Sequence, residues 1–370
     1  MKILYVTTIG KTMSFFPLFI KKLIDEGHVV DIATNESNAP VPECYRRWGC
    51  KVHKISFSRI PISKGNFEAF SQLNKVVKNG HYDIVHCHTP NASVITRLVC
   101  QKYRKTTGLK VFYTAHGFHF YKGAPKLNWM VYYPVEKFCS RLTDKIITIN
   151  QEDYELAKKK LKAKNVYYVP GVGIDLSRFE NVQVDKSEKR REIGVPEDAF
   201  LLLSVGELNE NKNHQVIIRA LAKLNNPKVH YAIAGIGNKK DYLLDLAEQL
   251  DVSNQVYLLG FRKDVPELNY ASDVFCFPSF REGLGMAAIE AMSCGLPIVT
   301  SNVHGINDYS IDGVSGFKCN PTDVEGFEKA IRKLANDPAL KVEMGTKNKK
   351  SVVKYSVASI IEKMQSIYES

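Results

Sequence analysis

Apolar segments of strand length alternate with amphipathic segments of helix length along the whole chain. In the first half, the strand-like segments are residues 2–7, 28–34, 83–88, 111–116, 145–149 and 166–169. Helices are predicted between them, for example over residues 15–26, 128–142 and 151–161. In the second half, the strand-like segments are residues 200–205, 230–234, 256–259, 274–277 and 297–300, and the chain after residue 327 is predicted to be helical. This alternation favours the α/β fold class, in which helices join parallel strands.

A polar, charge-rich stretch at residues 180–192 separates the two series of strands and helices. We therefore predict two domains, at residues 1–175 and 195–350, and 370 residues suffice for two domains of ordinary size. Open parallel sheets bind ligands at the carboxyl ends of their strands. The two domains are therefore expected to face each other across a ligand-binding cleft.

The strongest chemical signal lies between residues 274 and 300. An apolar strand leads into Arg281-Glu282-Gly283-Leu284-Gly285-Met286, and a helical run through Glu290 follows. A glycine turn at the start of a helix presents unpaired backbone N–H groups to a phosphate. Because Glu282 and Glu290 would bracket the first helical turns, the segment suits a long phosphorylated ligand with hydroxyls near both ends, such as a nucleotide sugar.

The spacing of the two glutamates argues against a hydrolytic carboxylate pair. If both residues were helical, eight steps would separate them by about 12 Å along the helix axis. Retaining glycosidases need carboxyls about 5–5.5 Å apart, and inverting ones about 6.5–9.5 Å apart. Glu282 and Glu290 are therefore interpreted as two contacts to one ligand.

Several other motifs fail on inspection. Gly10-Lys11-Thr12 lacks the earlier glycine of a phosphate loop, since that position is Tyr5. The glycine pairs at 171/173 and 235/237 lack the third glycine of a dinucleotide fingerprint, which argues against a dehydrogenase. The histidines at 86, 88, 116 and 119 have no supporting Asp, Glu or Cys cluster nearby, and no D-x-D occurs in the chain, so no essential metal is expected.

The Glu282-to-Glu290 segment resembles the E-x7-E region of retaining glycosyltransferases of family 4, which have the GT-B fold. The similarity extends back through residues 258–279, and more weakly over nearly the whole chain, and the look-alikes are bacterial enzymes that assemble exopolysaccharide or capsule on a lipid carrier. The resemblance implies two Rossmann-like, doubly wound domains facing a central cleft. Residues 1–175, with residues 352–370 crossing back onto them, would bind the acceptor, and residues 195–350 the donor.

The resemblance also implies roles for individual residues. Glu290 would hold the ribose hydroxyls, whereas Glu282 and the amides of residues 283–285 would hold the donor sugar and diphosphate. Lys212 would stabilise the leaving diphosphate, and His116, at a strand end, would orient a sugar hydroxyl. The catalytic residues are thus His116, Lys212 and Glu282, and the donor-binding residues are Gly10, Glu207, Arg262, Gly283, Leu284, Gly285 and Glu290.

Position 207 departs from the family pattern, which usually has arginine there. Glu207 cannot stabilise a diphosphate, so one positive charge is missing, and the carboxylate would instead accept a hydroxyl. Arg262 is expected to stack on the base or to reach a phosphate. Gly10 closes the first strand–helix turn, where bare backbone can approach a ligand.

The net charge of +12 is concentrated in the first half. Residues 1–180 carry 28 Lys and Arg against 14 Asp and Glu, and the rest of the chain carries 23 against 25. Because no nucleic-acid-binding module is recognised, an anionic membrane surface is the expected partner of the basic half, unless the lysines only solvate helix faces. No signal peptide or membrane-spanning run is seen, and the eight scattered cysteines indicate reduced thiols. A peripheral location at the cytoplasmic face of the membrane is expected.

Together these features predict transfer of a sugar from a nucleotide diphosphate sugar, with UDP-hexose or UDP-N-acetylhexosamine preferred, to a polyprenyl-diphosphate-linked glycan. The resemblance implies retention of anomeric configuration, and neither a cofactor nor an essential metal is expected. Two alternatives stay open. One is a nucleotide-sugar 2-epimerase of GT-B fold, which needs no acceptor. The other is a catalytically inactive scaffold, for which Glu207 is the motivating feature.

Overall fold

A computed structural model describes residues 1–37, 39–60, 63–180 and 182–370. The chain divides into two compact units, one comprising Met1–Gly173 with Ile360–Ser370 and the other Ile174–Ser359. The polar stretch predicted between the domains belongs to the second unit, and its residue 181 lies outside the described residues. The C-terminal segment joins the first unit from residue 360 rather than from residue 352.

In the described part of the first unit, seven strands form one sheet. They are β1 (Lys2–Ile9), β2 (Val29–Asn35), β3 (Val52–Lys54), β4 (Ile84–His88), β5 (Lys110–Ala115), β6 (Lys145–Thr148) and β7 (Asn165–Tyr168). The helices between them are α1 (Pro17–Asp25), α2 (Cys44–Arg47), α3 (Lys64–Gly80), α4 (Pro90–Thr106), α5 (Lys126–Ser140) and α6 (Gln151–Lys160). All neighbouring strands run parallel, in the order β3-β2-β1-β4-β5-β6-β7.

The described part of the second unit contains a six-stranded sheet. Its strands are β8 (Phe200–Val205), β9 (Val229–Ala234), β10 (Val256–Gly260), β11 (Val274–Phe277), β12 (Ile298–Ser301) and β13 (Gly316–Cys319). Its helices are α7 (Lys186–Glu192), α8 (His214–Leu224), α9 (Lys240–Gln249), α10 (Val265–Ala271), α11 (Met286–Ser293), α12 (Val324–Asn336) and α13 (Pro338–Ser351), and α14 (Val357–Glu369) ends the chain. The strands are again parallel, in the order β10-β9-β8-β11-β12-β13.

Both sheets reverse their winding direction at one point. The reversal lies between β1 and β4 in the first unit and between β8 and β11 in the second. A doubly wound sheet opens a crevice outside the carboxyl ends of the strands at such a point. The residues after β1 and β4, and those after β8 and β11, are therefore placed where a ligand is expected, and the residues after β5 lie one strand away at the same edge. The predicted α/β, Rossmann-like fold class is confirmed.

The helix α14 packs back on the first unit, as the fold prediction required. Its residues Ile360, Met364 and Ile367 join the apolar cluster beneath β1 and α1. The Tyr368 hydroxyl donates to that of Tyr5 at 3.2 Å, and the ammonium of Lys145 donates to the carbonyl of Ile367 at the end of the helix. Buried apolar area and a cation at a helix C-terminus both stabilise this return of the chain.

Two details differ from the sequence-based prediction. The tail predicted to be helical after residue 327 is divided into α12, α13, a short 3-10 turn and α14, because Asp337-Pro338 begins a new helix, with Asp337 capping it. The helix predicted over residues 128–142 spans Lys126–Ser140 and includes Pro134. Among the described residues, no helix combines the length and apolar character that crossing a bilayer requires.

Candidate functional site

The loop between β11 and α11 has the form predicted for a phosphate-binding turn. Gly285 precedes the helix with φ near 90°, a left-handed conformation that glycine adopts readily. A Cβ atom there would lie 2.5 Å from the Phe277 ring and 2.8 Å from the Tyr309 hydroxyl, so no side chain fits. Among the described residues, no side chain caps α11, and its first turn contains no acidic residue. The N–H groups that begin α11 are therefore suited to an anion.

Glu282 lies in this loop, four residues before α11, and not on the helix. The glycines at 283 and 285 form the turn predicted before the helix, which begins at Met286, so the helical spacing of about 12 Å considered for the two glutamates does not apply to Glu282. The carbonyl of Glu282 is held by the ring of His304, whose Nδ1 lies 2.6 Å away, and by the amide of Gly305 at 3.2 Å. Sequence reasoning missed His304, whose only signal is its position shortly after β12.

Lys212 and Glu282 form a direct ion pair. The Lys212 ammonium lies 2.6 Å from the Glu282 carboxylate and 4.7 Å from the centre of the Phe277 ring. The two side chains are only 20% and 14% exposed, so water screens their charges weakly. The structure thus brings together two of the three predicted catalytic residues, which are 70 positions apart in sequence.

Asparagine contacts hold the loop after β8 against the loop after β11. The Asn211 side-chain amide donates to the Arg281 carbonyl at 2.9 Å, and the Phe280 amide donates to the Asn211 carbonyl at 2.8 Å. Asn213, in a left-handed conformation with φ 53°, donates to the Pro278 carbonyl at 3.1 Å. These contacts fix the backbone on both sides of the ion pair. The sequence analysis overlooked them, although asparagine at every second position from 209 to 213 was a visible signal.

Glu290 lies on α11, four residues after its first residue, Met286. Its carboxyl is half-buried, and burial raises its pKa above the ordinary value, an effect that the nearby positive charge of Arg178 opposes. In the part of the chain that is described, no side chain donates a hydrogen bond to this carboxylate. A partly buried acceptor without an internal partner suits a pair of ligand hydroxyls.

The remaining donor-binding candidates, Glu207, Arg262 and Gly10, make contacts within the protein itself. Glu207 is exposed at the end of β8 and accepts a hydrogen bond from Asn209 at 2.9 Å. The Arg262 guanidinium is paired with Asp264 and Glu192, both at 2.5 Å, so a phosphate contact would have to compete with two carboxylates. Gly10 is buried, and a side chain there would overlap the Ala39 carbonyl, so its lack of a side chain has a packing reason.

His116 directly follows β5 in the first unit, at the carboxyl edge of that sheet. Its Nε2 lies 3.1 Å from Nδ1 of His88, which is buried and packs 4.5 Å from the ring of Phe16 and 5.2 Å from that of Tyr5. Whichever nitrogen donates, this bond ties the tautomer and orientation of His116 to those of His88. His86 is also buried, with its ring centre 4.2 Å from that of His88, and it is bonded to Tyr368 at 2.5 Å and to Thr114 at 2.8 Å.

Burial lowers the pKa of all three histidines. The pKa of His116 falls to about 4 and that of His86 to about 3, and the pKa of His88 is also well below its ordinary value. The rings are therefore neutral at pH 7, so His116 can exchange hydrogen bonds with a sugar hydroxyl but supplies no positive charge. Among the described residues, no group of three or more His, Cys, Asp or Glu could hold a metal ion.

Comparison with known proteins identifies the family. A family model described as Glycosyl transferases group 1 matches residues 185–351, and one described as Glycosyltransferase Family 4 matches residues 18–178. EpsD of Bacillus subtilis, which carries a provisional glycosyltransferase name, is 36% identical over 374 residues, an alignment that spans all of this chain and 96% of EpsD. The chain belongs to the family 4 glycosyltransferases. This confirms the resemblance predicted from the Glu282-to-Glu290 segment.

Other relatives of this glycosyltransferase agree in length and fold. An Escherichia coli UDP-Gal:α-D-GlcNAc-diphosphoundecaprenol α-1,3-galactosyltransferase is 28% identical over 311 residues, covering 82% of this chain and 79% of that enzyme. The crystal structure of Anabaena HepE with UDP superposes with a TM-score of 0.81 at 21% identity and full coverage of both chains. WaaG, a glycosyltransferase of lipopolysaccharide biosynthesis, superposes with a TM-score of 0.76 at 20% identity and 99% coverage of both chains. The fold of this glycosyltransferase is therefore GT-B.

The histidine pKa values predict a pH-dependent stability of the glycosyltransferase. Because the pKa of His116 is below the ordinary 6.5, the unfolded chain binds more protons between pH 6.5 and 4, and the free energy of unfolding falls as the pH drops through this range. We expect His116→Gln to lose fewer degrees of melting temperature than the wild type between pH 7 and pH 4. His81→Asn, at an exposed left-handed position, should follow the wild-type curve. Parallel curves of melting temperature against pH for wild type and His116→Gln would contradict the lowered pKa of His116.

Proposed function

We propose that this glycosyltransferase moves a sugar from a UDP-sugar, either a UDP-hexose or a UDP-N-acetylhexosamine, to a glycan carried on polyprenyl diphosphate. The observation that carries the proposal is the loop and helix from residue 278 to residue 293, with its glycine turn and the Lys212–Glu282 pair. It also includes the Glu290 carboxylate, to which none of the described side chains donates a hydrogen bond. The UDP complex of HepE and the UDP-galactose and diphosphoundecaprenol in the name of the Escherichia coli relative support this choice of donor and acceptor. The product would belong to a cell-surface polysaccharide.

The donor would be bound by three groups along this segment. Glu290 would accept hydrogen bonds from the ribose hydroxyls, and the amides of residues 283–285 and of the α11 N-terminus would face the diphosphate. Glu282 would accept a hydrogen bond from the donor sugar. Because Lys212 is already 2.6 Å from Glu282, its ammonium would lie between the sugar-binding carboxylate and the diphosphate.

The charge that develops on the leaving diphosphate would be stabilised by this enzyme without a metal ion. Lys212 offers a positive charge in a weakly hydrated position, and the N-terminal amides of the helix offer fixed dipoles. Such preorganised groups stabilise a transition state effectively where negative charge develops. Glu207 occupies the position where the family usually has an arginine, so the second positive charge that this arginine would supply is missing. We therefore expect Lys212 to carry a larger share of this stabilisation than it would beside an arginine.

Transfer would retain the anomeric configuration by a front-face path. The bond between the anomeric carbon and the diphosphate oxygen breaks, the acceptor oxygen bonds to the same face of that carbon, and the acceptor proton passes to the leaving diphosphate. His116 would orient a donor hydroxyl as a neutral imidazole. A ligand complex with a side-chain carboxylate about 3 Å from the anomeric carbon on the opposite face would contradict this path and indicate a covalent intermediate.

The basic N-terminal half would hold the enzyme at an anionic membrane surface, where the lipid-linked acceptor resides. Residues 1–180 carry 28 Lys and Arg against 14 Asp and Glu. Each basic side chain near such a surface contributes about 1 kcal/mol, and the attraction weakens with salt. The enzyme would then act as a peripheral protein on the cytoplasmic face.

A nucleotide thermal-shift screen tests the donor part of the proposal. UDP, GDP, ADP and their common sugar conjugates are compared with and without EDTA. A ligand at 100 times its dissociation constant stabilises the folded state by about 2.7 kcal/mol, which is readily visible. We expect a shift with uridine nucleotides that EDTA does not change. If no nucleotide shifted the melting temperature, the inactive scaffold would become the better account, because Glu207 would then have altered the site.

A further inference from the structure

The first unit contains an apolar pocket that the donor chemistry does not use. Its volume is about 280 Å³, and it lies between α3, α4, α5 and the loop that follows His116. Its apolar lining consists mainly of Val94, Ile95, Phe118, Phe120, Val131 and Val135. A cavity of about 150 Å³ holds one benzene molecule, so this pocket has room for about two five-carbon groups.

The asparagine and glutamate side chains of the pocket are engaged within the protein. The Asn66 amide donates to the Ile60 carbonyl and its oxygen accepts from the Ser58 amide, and Asn91 donates to the Ser58 carbonyl at 3.0 Å. The Glu136 carboxylate is paired with the buried guanidinium of Arg97. A sugar needs several hydrogen-bond partners in its pocket, and this one offers mostly carbon. Its chemistry therefore fits an apolar ligand.

The helix α5 also turns an apolar stripe toward solvent. Leu127, Met130, Val131, Val135 and Phe138 follow the three- and four-residue spacing of one helix face, and they are 45–74% exposed. Next to the pocket, α3 likewise exposes Phe67 and Phe70. A contiguous exposed apolar surface of this kind marks an interaction site, and here it continues into the pocket through Val131 and Val135.

The position and the charge of this surface bear on which ligand it fits. The pocket is lined by Gly117, directly after the proposed catalytic residue His116, at the carboxyl edge of the sheet. The exposed lysines Lys122 and Lys126 stand before and at the start of α5, and their positive charge would complement a diphosphate there. An acceptor whose sugar reaches His116 would carry its diphosphate and then its hydrocarbon chain away from that point.

We propose that the pocket and the α5 stripe bind the isoprenoid chain of the acceptor, with the first isoprene units in the pocket. This inference rests on the proposed function and adds the place at which the enzyme recognises the lipid part of its acceptor. Burial of even one five-carbon isoprene unit from water favours binding strongly, so the chain should contribute to affinity as well as to localisation. The enzyme would thereby prefer lipid-linked over soluble glycan acceptors.

Calorimetric titration with farnesyl diphosphate, with inorganic diphosphate as the reference, tests this inference. Saturating UDP is present so that diphosphate does not enter the donor site. We expect farnesyl diphosphate to bind about 10–100-fold more tightly than inorganic diphosphate, and the difference to be lost in Val131→Asp/Val135→Asp. Val342→Asp, at an exposed valine of α13, is the matched control and should keep it. Val94→Phe, which fills the pocket from α4 without charge, should weaken farnesyl diphosphate alone.

Sedimentation with phosphatidylglycerol-containing vesicles separates the isoprenoid site from a bilayer contact. Equal binding of farnesyl diphosphate and inorganic diphosphate would overturn the proposal. Variants that lose vesicle binding or self-association while keeping the farnesyl preference would overturn it too, because the stripe would then contact a membrane or a second copy. Loss of the farnesyl preference in Val131→Asp/Val135→Asp, with an intact UDP thermal shift, supports the proposed isoprenoid site. An absent UDP shift would instead count against the proposed function. The farnesyl comparison would then be read from Val131→Asp/Val135→Asp against wild type, because these substitutions change no donor-site residue.

Discussion

Replacement of Lys212 by methionine is expected to lower kcat for sugar transfer by about 10²–10³-fold at saturating donor. Removal of one preorganised donor to a developing negative charge has an effect of this size. Methionine keeps an aliphatic stem against Phe277 and removes the charge. The effect on kcat should exceed that on the affinity for UDP-sugar, since the charge on the diphosphate grows as the glycosidic bond breaks.

The Lys212–Glu282 pair needs a control for a purely structural role. Lys239→Met removes the lysine of another ion pair in the same unit, with Glu210 at 2.7 Å, and should leave kcat within about twofold, since a surface pair contributes little. The charge-swapped variant Lys212→Glu/Glu282→Lys should recover the melting temperature but not activity. If the swapped enzyme were as active as wild type, or if Lys212→Met kept half of its kcat, the catalytic role of Lys212 would be wrong.

Glu290→Gln is expected to weaken UDP binding by about 10–100-fold while stabilising the ligand-free protein. The first effect follows from the loss of charge-assisted hydrogen bonds to the ribose. The second follows from the raised pKa of Glu290, because burial disfavours the ionised carboxylate and neutral glutamine avoids this cost. A gain in stability with a loss of binding would mark a residue retained for function.

The pH dependence of this second effect has a definite sign. The folded-state pKa of Glu290 lies above the ordinary 4.5, so its favourable contribution is present below pH 4.5 and is lost as the pH rises through the folded-state pKa. The melting temperature of Glu290→Gln should therefore exceed that of wild type at pH 7, and the difference should shrink toward pH 4. Glu343→Gln, at an exposed glutamate of α13, should show no such trend. An equal or lower melting temperature for Glu290→Gln at pH 7 would contradict the account.

Local patterns in the sequence were sufficient for the fold and for part of the site. The alternation of apolar and amphipathic segments predicted two parallel α/β units, and the E-x7-E segment predicted a glycine turn followed by α11. Glu290 lies on that helix, and Glu282 lies before the glycine turn. Eight-residue spacing alone could not show where the helix begins, because this depends on the left-handed Gly285 and on His304 behind the loop.

Contacts between distant parts of the chain could not be predicted from one sequence. Lys212 and Glu282 are 70 positions apart, as are Arg262 and Glu192, and neither pairing leaves a local pattern. The α5 stripe was missed for a different reason. Helical periodicity shows that one face is apolar, but it does not show whether that face packs on a core or faces solvent.

The most direct test of the central claim is sugar transfer itself. The enzyme is incubated with radiolabelled UDP-glucose, UDP-galactose or UDP-N-acetylglucosamine and with undecaprenyl-diphosphate-linked sugars in vesicles, and label in the extracted lipid is measured. The account predicts labelled lipid from one donor, unaffected by EDTA and about 10²–10³-fold slower with Lys212→Met, and an anomeric configuration by NMR that matches the donor. Nucleotide binding without label in the lipid, or conversion of the donor without acceptor, would contradict it.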